Sequence, residues 1–589
     1  MVIGTRSRDI VMLMQNKLRP VFLALAVVSA ALLSMGVLTR PSAKDASYNG
    51  FSATRVAEDL KVISKTPHSV QHPEERAAVR EYLVQRLEQL GGSVSLYKYN
   101  SLTAPKNRSK QYTFGAVDVL AEFPPLNASA DTTWLMLVAH YDSRQETPFP
   151  YGTVWPYGAA DDGYGLGVIL ETVSNLLQKR QDWKQGVKVL FTDAEEVGMI
   201  GMESIWNNDR AVFENTGLVL NVECRGTYGP VLLFETSPGN EKLMELYSHA
   251  GSPYTYSLTT IVYELLPNAS DFTLVKDELP GMNFSTVADI NHYHSEKDCI
   301  ENINLKTIQH YGEQIVPVAE KYLTDSVYSD KDYLKSDKDM VFFTVPVLGM
   351  FCVSKTMYVI INVVLFVIFL FLFAVEGLRG RIKAIRVLRN SCIVLMTCVG
   401  ALALGELVAY ISASATGVTF RPFGVLQGIQ ADNWISLLTV AAVLAITLVV
   451  YLYFRQNAIR QTSGSMRASA ASNAASKYAY GVLYGTVALM FIISLVLVFT
   501  VGENVMFMVP FACAVIAMVL WHVTSLKFWL LAAIMIITLQ AVSFLYVLYM
   551  ALTIGALGVV VMLAVLDAMV LIPLSDLYLS SQHVKKNKK

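Results

Sequence analysis

The chain has 589 residues, of which 53% are hydrophobic and 16% are charged, against about 25% charged residues in an ordinary soluble domain. Its formal net charge of −1 gives no electrostatic basis for binding nucleic acid. Charged residues occur at ordinary density from residue 39 to about residue 340, whereas long apolar runs fill the chain from about residue 356 onward. The composition therefore excludes a wholly soluble protein and predicts one globular part and one membrane part.

The first predicted element is an apolar stretch from Val21 to Leu38, which is long enough to cross a bilayer. Basic residues precede it at positions 6, 8, 17 and 19. The apolar core of a signal peptide runs about 7–15 residues, so the longer stretch here favours an uncleaved anchor at 21–38 over a cleaved signal peptide. Residues 1–20 would then be a cytoplasmic N-terminal tail.

Short apolar runs alternate with helical patterns in the part that follows. Strands are predicted at 133–139, 187–192 and 218–222, and helices at 73–90, 164–178 and 305–322. Buried strands that alternate with helices indicate an α/β domain, in which a mainly parallel sheet is covered by helices on both faces. In such folds the ligand site forms beyond the carboxyl ends of the strands.

Polar motifs stand where each of these strands ends. HYDS at 140–143 follows the first strand, DAEE at 193–196 follows the second, and Glu223 ends the third. The glycine-rich turn GAADDGYG at 158–165 places Asp161 and Asp162 at the start of a helix, and HYHSEKD at 292–298 adds further polar side chains. Because these motifs meet at one edge of the predicted sheet, they form a candidate site.

Each motif alone has an ordinary explanation: a surface His-x-Asp pair, an Asp-Asp helix cap and a solvated Glu-Glu face. Together they are harder to explain in this way, because unpaired carboxylates at buried strand ends are costly and a divalent cation would neutralise several of them. Imidazole and carboxylate side chains, with only Cys224 and Cys299 as nearby thiols, suit Zn²⁺. The sequence therefore predicts a zinc site, and it leaves open whether the two cysteines form a disulfide.

Seven apolar runs follow the globular part, which makes eight predicted spans with the anchor; they lie at roughly 357–375, 391–412, 434–454, 479–500, 505–521, 527–547 and 551–573. The boundary between the last two offers only Gly555 and Gly558 as helix breakers. The prediction is thus an all-α membrane domain of seven spans at 357–575, joined to the globular domain at 39–340 by a linker at 341–356.

Lysine and arginine residues set the predicted orientation. They cluster after the second and fourth spans, near the end of the sixth and at the tail, all on one side if the N-terminus is cytoplasmic. Residues 39–340 would then be extracytoplasmic, and 576–589 would be a basic cytoplasmic tail. The membrane would be a bacterial inner membrane, with the domain facing the periplasm or exterior, or a vacuolar or endoplasmic-reticulum membrane, with the domain facing the lumen.

The motif order H-x-D, G-A-x-D-D, D-x-E-E, N-x-E and Y-H-[ST] resembles that of co-catalytic zinc exopeptidases of the aminopeptidase Y and bacterial leucyl aminopeptidase type. With an anchor before the domain and several spans after it, the chain is similar to the membrane branch that contains endoplasmic-reticulum metallopeptidases and vacuolar membrane proteases. The motif resemblance covers roughly residues 52–325. It implies a three-layer zinc-exopeptidase fold and a peptidase that acts on peptide substrates. Aminopeptidase activity is favoured, and carboxypeptidase or dipeptidase activity, which some relatives have, stays open.

The resemblance also implies two zinc ions per chain. One would be held by His140, Asp161 and Glu223, and the other by Asp161, Glu196 and His294, so that Asp161 bridges the two metals. Many relatives have aspartate where Glu223 stands, although the membrane branch often has glutamate there. Glu223 is therefore kept as a predicted ligand.

Three further roles follow from the same resemblance. Glu195 would be the general base that takes a proton from the zinc-activated water, and Tyr293 would steady the tetrahedral oxyanion. Asp142 would hydrogen-bond the second ring nitrogen of His140 and so orient the ring. The peptide bond between residues 161 and 162 would be cis.

Two other readings remain open at this stage. A glutaminyl cyclase, an acyltransferase with one zinc on the same scaffold, has similar motifs, although Asp162 favours a two-metal peptidase. A non-catalytic or transport protein with a peptidase-like ectodomain is the third possibility, and the intramembrane acids Glu406 and Asp567 motivate it. Peptides and a lipid bilayer are the predicted partners, nucleic acid is not, and the oligomeric state is left open.

Overall fold

The computed structural model describes residues 3–38, 41–103, 113–145, 147–149, 152–265, 268–429, 431–462 and 468–580. The chain divides into two compact units, residues 38–355 and residues 1–37 together with 356–589. The end of the predicted basic tail, 581–589, lies outside the described residues. Each unit is considered by itself below.

The unit at 38–355 contains the strands, together with helices that follow the first helix of the chain, α1 (Ile3–Leu38). The strands are β1 (Ser93–Thr103), β2 (Thr113–Phe123), β3 (Trp134–His140), β4 (Thr147–Phe149), β5 (Gly152–Val154), β6 (Gly186–Thr192), β7 (Thr216–Val222), β8 (Tyr228–Thr236), β9 (Gly281–Ala288), β10 (Met340–Val345) and β11 (Gly349–Ser354). The helices are α2 (Ala53–Ile63), α3 (Pro73–Gln89), α4 (Gly163–Leu177), α5 (Ile200–Asn208), α6 (Glu241–Tyr247), α7 (Ser257–Leu265) and α8 (Leu305–Thr324).

Seven of these strands form one sheet in the order β1-β2-β6-β3-β7-β9-β8. The four central strands, β6, β3, β7 and β9, are parallel to one another. The outer strands β1, β2 and β8 pair in the antiparallel sense. The predicted parallel sheet is therefore confirmed at its centre, which is where the polar motifs end their strands.

Both faces of the sheet are buried, and alternate residues of β3 show this directly. Leu135 and Leu137 belong to a core that also contains apolar side chains of α2, α4 and α8, whereas Met136 and Val138 belong to a second core with side chains of α5. Successive strand residues point to opposite faces. The predicted three-layer α/β arrangement is therefore confirmed.

The buried His310 of α8 joins this core to β8 and to the loop at residue 252. Its Nδ1 accepts the N–H of Val231 at 3.0 Å, and its Nε2 donates to the carbonyl of Ser252 at 2.9 Å. Because a charged ring would need to donate from both nitrogens, protonation conflicts with the Val231 N–H. Burial accordingly lowers the pKa of His310 to about 4, from an ordinary value of 6.5.

This lowered pKa predicts a loss of stability in acid. Between pH 6.5 and 4 the unfolded chain binds a proton that the folded chain excludes, so the contribution of His310 falls as the pH falls, by up to about 3 kcal/mol. We expect His310→Gln to be less stable than wild type at pH 7 and to lose less stability towards pH 4. Thermal unfolding of the full-length protein in detergent measures both, and an unchanged difference in melting temperature across that range would contradict the prediction.

The other unit contains α1 and the helices that follow the globular unit. They are α9 (Lys355–Leu378), α10 (Ala384–Thr416), α11 (Asp432–Thr462), α12 (Ala468–Thr500), α13 (Val505–Thr524), α14 (Phe528–Leu552) and α15 (Leu557–Leu579). Within the described residues, seven helical segments are long and apolar enough to cross a membrane. Eight spans are predicted from the sequence; the last of the seven segments, Phe528–Leu579, has 52 residues and contains both α14 and α15.

This last segment contains two α-helices. A single helix of this length would extend about 78 Å, more than twice the roughly 30 Å hydrocarbon core of a bilayer. Thr553 ends α14 with a positive φ of 57°, and a 3₁₀ turn over Thr553–Ala556 leads into α15. With 25 and 23 residues, α14 and α15 are each long enough for one span.

Candidate metal centre

The carboxyl ends of β3, β6 and β7 bring three of the sequence motifs to one edge of the sheet. His140 is the last residue of β3 and lies opposite Thr192, the last residue of β6, so that the DAEE motif begins beside it. Glu223 directly follows β7, which pairs with β3 on its other side. Parallel pairing thus places side chains that are far apart in sequence within a few ångströms of one another.

The acidic turn before α4 is held by its own side chains and by a later loop. Asp162 caps the helix by accepting the N–H of Gly165 at 3.1 Å, and the peptide bond between Asp161 and Asp162 is cis, as predicted. The buried carboxylate of Asp298 accepts the N–H groups of Ala160 at 2.7 Å and Asp161 at 3.2 Å. The backbone is therefore anchored from both sides, and the Asp161 side chain is left to face the site.

His294 reaches the same place from the loop after β9. It has a positive φ of 55°, and its ring stacks on that of Tyr293 with the ring centres 3.6 Å apart. Its Nε2 atom lies 3.1 Å from Oδ2 of Asp161 and 3.1 Å from Oε1 of Glu196. Three side chains from three separate segments therefore converge on one point.

A second group of three converges on the other oxygen of Asp161. Nε2 of His140 lies 3.3 Å from Oδ1 of Asp161 and 4.0 Å from Oε2 of Glu223. In each group the potential ligand atoms lie within 4.8 Å of one another. The structure thus brings together all five predicted ligand residues as two groups of three that share Asp161.

The donor atoms fit a metal such as zinc. Nδ1 of His140 lies 3.0 Å from the main-chain oxygen of Asp142, which can only accept a hydrogen bond, so Nδ1 carries the proton and Nε2 presents its lone pair to the site. Buried atoms Oδ2 of Asp161 and Nε2 of His294 make no hydrogen bond of proper geometry within the described residues. A cation between these atoms would satisfy them, and nitrogen and oxygen donors suit Zn²⁺.

The observed contact between Asp142 and His140 differs from the predicted one. Its carboxylate lies 3.6 Å from Nδ1, too far for a hydrogen bond, while its main-chain oxygen makes that bond. The carboxylate instead accepts the N–H of Glu195 at 2.9 Å and of Glu196 at 3.3 Å. Asp142 therefore orients the histidine through its backbone and fixes the turn that carries both glutamates through its side chain.

Glu195 lies shortly after the end of β6 and belongs to neither of the two ligand groups. The left-handed Ala194, with φ of 59°, turns the chain into a short 3₁₀ helix, so that Glu195 and Glu196 leave the strand in different directions. Glu196 faces Asp161 and His294, whereas Glu195 lines the open cleft. Adjacent residues thus occupy two distinct positions in the site.

Two residues of the site were not assigned a role from the sequence. Arg144 donates hydrogen bonds to Oε2 of Glu196 at 2.7 Å and to the main-chain oxygen of Glu196 at 2.9 Å. Asp298 accepts the N–H of Ala160 in the acidic turn. Arg144 lies directly after the HYDS motif and Asp298 ends HYHSEKD, so both are adjacent in sequence to predicted residues. Nothing in their local pattern, however, indicates which distant group they contact.

The carboxyl groups crowd one another. Burial, together with the charges of Glu223 and Glu196, raises the pKa of Glu195 well above its usual value, and burial also raises the pKa of Asp162. Burial and the neighbouring carboxylates of the site likewise raise the pKa of Tyr293, so its phenol stays protonated and can donate a hydrogen bond. Because many carboxyl groups are buried close together, the site favours the binding of cations.

An open cleft of about 430 Å³ leads to these side chains. Glu195, Glu223 and Tyr293 line it together with the guanidinium group of Arg225 and an aromatic pair, Phe234 and Tyr263. The site is therefore accessible to a ligand of several atoms, and its walls combine acidic, basic and aromatic surfaces. Cys224 and Cys299, near the site in sequence, are both free thiols.

Part of the chain is similar in sequence to known metallopeptidases. Residues 118–319 match the description "Peptidase family M28". Endoplasmic reticulum metallopeptidase 1 of Mus musculus is 23% identical over 344 residues, which cover 55% of this chain and 36% of that protein. A vacuolar membrane protease of Candida dubliniensis is 25% identical over 323 residues, which cover 53% of this chain and 32% of that protein. The chain thus spans about a third of the length of these relatives.

Two solved structures each match a little under half of this chain. An aminopeptidase from Aneurinibacillus sp. strain AM-1 has 12% identity and a TM-score of 0.37, and the match covers 46% of this chain and 94% of that one. A Porphyromonas gingivalis glutaminyl cyclase has 17% identity and a TM-score of 0.39, covering 47% of this chain and 100% of that one. Residues 118–319 of this chain are therefore similar in sequence to peptidase family M28.

Proposed function

We propose that this chain is a membrane-anchored zinc peptidase that removes residues from the N-terminus of peptides. The observation that carries the proposal is the pair of ligand groups that share Asp161 beside the open cleft that Glu195 lines. Two zinc ions would be held there, one by His140, Asp161 and Glu223, and the other by Asp161, Glu196 and His294. Zinc in this position would supply Lewis acidity, which lowers the pKa of water and polarises a carbonyl group.

The chain's own residues would manage the protons of the reaction. Glu195 would accept a proton from the attacking water and then donate it to the departing amine. The phenol of Tyr293 would donate a hydrogen bond to the carbonyl oxygen as negative charge develops on it. Asp142 would support both steps, because its carboxylate holds the N–H of Glu195 and its main-chain oxygen orients His140.

The position of Arg144 supports the same assignment. Its ion pair with Oε2 of Glu196 leaves Oε1 of that carboxylate directed towards His294 and Asp161. A guanidinium group so placed would keep Glu196 ionised and fixed in one rotamer. Glu195, whose main chain is held by Asp142 and whose side chain lines the cleft, would remain the group that exchanges protons.

A panel of peptides tests the direction of cleavage. We expect the purified full-length protein to hydrolyse peptides with a free α-amine and to leave the same peptides intact after N-acetylation, because the acidic cleft favours an ammonium group close to the metals. Mass spectrometry of the products identifies the bond that is cut. Equal cleavage of the free and acetylated peptides would contradict the aminopeptidase assignment.

The alternative function is that of a glutaminyl cyclase, which would hold a single zinc ion. The same panel addresses it, because a peptide with N-terminal glutamine would lose ammonia without any peptide bond being broken. The second ligand group, with His294 and Glu196 on Asp161, favours the two-zinc peptidase. A metal-free binding protein is disfavoured because every ligand position and the proposed base are occupied by side chains of the required type.

The distribution of lysine and arginine supports one orientation of the protein. With the N-terminus in the cytoplasm, the basic loops face the cytoplasm and the peptidase domain faces the opposite compartment. We propose that orientation, with α1 as the anchor that precedes the peptidase domain in sequence and the later apolar helices as the membrane domain that follows it in sequence. Its substrates would then be peptides in an extracytoplasmic space.

A further inference from the structure

The membrane unit contains a cavity of about 660 Å³, and none of the proposed chemistry uses it. Its walls come from α10, α11 and α12, with Met569 of α15 at the back. We call it the membrane slot. Its lining runs from Arg389 to Leu404 along α10 and from Val443 to Gln461 along α11.

The slot is long and mostly apolar. Fifteen residues separate Arg389 from Leu404, which corresponds to about 22 Å of helix at 1.5 Å per residue. One leaflet of a bilayer contributes about 15 Å of hydrocarbon, so the slot exceeds the depth of a leaflet. Aliphatic side chains such as Ile393, Val394 and Ile446 line it along this length. A hydrocarbon chain is the ligand that such a surface accepts in a membrane.

One end of the slot is polar. Arg389 lies there with the amides of Asn457 and Gln461 and the phenol of Tyr478. Within the part of the chain that the structure describes, Arg389 has no carboxylate partner. The polar end therefore offers a cation and several hydrogen-bonding groups to a ligand.

A second arginine nearby has a partner of its own. Arg455 of α11 contacts both oxygens of Asp576 in α15, at 2.6 and 2.9 Å, and Tyr451 donates to the same carboxylate at 3.1 Å. Asp576 neutralises Arg455, and Arg389 is the one charged side chain among the described residues that line the slot. The charge pattern thus fits a single anionic group.

We propose that the membrane slot binds one anionic phospholipid. An acyl chain would lie along the apolar walls, and the phosphate would pair with Arg389 and accept hydrogen bonds from the amides beside it. This ligand matches the slot in length, polarity and charge, whereas a zwitterionic lipid would place its own cation next to Arg389. The proposal concerns the membrane unit and does not depend on the peptidase assignment.

A substitution at Gly400 tests whether the slot is filled. A Cβ atom added at Gly400, which lines the slot, would meet no other atom within 4 Å, so a larger side chain enters open space. Gly400→Phe should therefore block the acyl chain without a clash against the protein. Gly377 of α9 is the matched control, because a Cβ atom there also meets nothing within 4 Å and the residue does not line the slot.

A substitution at Arg389 tests the choice of headgroup. Arg389→Gln removes the charge and retains a polar side chain of similar length. Arg386→Gln is its control, since Arg386 is an exposed arginine of the same helix that does not line the slot. One basic residue near a membrane surface changes the affinity for an anionic lipid by about fivefold.

Native mass spectrometry of the full-length protein, released from nanodiscs of equal phosphatidylglycerol and phosphatidylcholine, provides the readout. Wild type, Gly377→Phe and Arg386→Gln should retain phosphatidylglycerol about fivefold over phosphatidylcholine. Gly400→Phe should lose the retained lipid, and Arg389→Gln should keep lipid with a ratio near one. Retention without headgroup preference in wild type, or an unchanged ratio in Arg389→Gln, would overturn the proposal. If Gly400→Phe fails to fold, the Arg389 variant decides the question.

Discussion

Replacing Glu195 with glutamine is expected to abolish peptide hydrolysis while zinc content stays at the wild-type level. Glu195 belongs to neither ligand group, yet it lines the cleft beside both of them. Glutamine keeps the size of the side chain but cannot accept a proton at neutral pH. Loss of general base catalysis lowers rates by roughly 10²–10⁴-fold, so kcat should fall by at least about 100-fold. Steady-state kinetics and zinc analysis on the same preparation measure the two quantities.

Glu203 provides the control for this substitution. It is an exposed glutamate of α5, eight residues further along, and it belongs neither to the ligand groups nor to the described lining of the cleft. Glu203→Gln should therefore keep both its zinc and its activity. If Glu195→Gln hydrolysed peptides at the wild-type rate, the base would have to be another group. If it lost its zinc, Glu195 would be part of the metal site itself.

The second large effect is expected from the shared carboxylate. Asp161→Asn keeps the shape of the side chain but removes the charge that both ligand groups use. We expect zinc binding and activity to be lost together, by more than the roughly 10–100-fold that is typical of residues behind the ligands. Zinc titration followed by activity measurement at saturating zinc checks this. Retention of two tightly bound zinc ions would show that Asp161 does not bridge them.

The neighbouring Asp162 is the matched comparison. Its side chain caps α4 by accepting the N–H of Gly165, and asparagine is as good an N-cap as aspartate. Asp162→Asn should therefore retain zinc and most of its stability, with a smaller loss of activity than Asp161→Asn. Melting temperatures and zinc content of the two variants separate these roles. Equal zinc loss in both variants would contradict the asymmetry between the two aspartates.

The sequence predicts much of this site because buried parallel strands have a recognisable sequence pattern. Each central strand is a buried apolar run that ends in a polar motif, and adjacent parallel strands bring their carboxyl ends together. The ends of β3, β6 and β7 could therefore be located from the apolar runs and the polar motifs that follow them. The ligand groups themselves, and the assignment of Glu195, came from the motif order of a known family rather than from periodicity.

The contacts that sequence could not predict depend on side-chain direction and on loops. Asp142 was expected to reach His140 with its carboxylate, but the turn after β3 directs that carboxylate to the N–H groups of Glu195 and Glu196. The hydrogen bond between Asp298 and the N–H of Ala160 joins residues more than 130 positions apart, and no local sequence pattern indicates such a pair. Hydrogen bonds of this kind appear only when the loops are placed in three dimensions.

The membrane part shows a related limit. Apolar runs locate its helices well, because the bilayer requires long uninterrupted stretches, but they say little about how the helices pack. The turn between α14 and α15 is marked by Thr553 and not by a strong breaker in the sequence. The membrane slot is lined by residues of four helices, and the hydropathy pattern does not show which helices pack together or that Arg455 pairs with Asp576.

Zinc stoichiometry tests the central claim most directly. The full-length protein, loaded with a small excess of zinc and then freed of unbound metal, would be analysed by inductively coupled plasma mass spectrometry against its amino-acid content. Two zinc ions per chain are expected, because the two ligand groups share Asp161 and each has its own histidine. One zinc ion per chain would contradict the two-metal site and favour the cyclase alternative, and no retained zinc would contradict a zinc centre altogether.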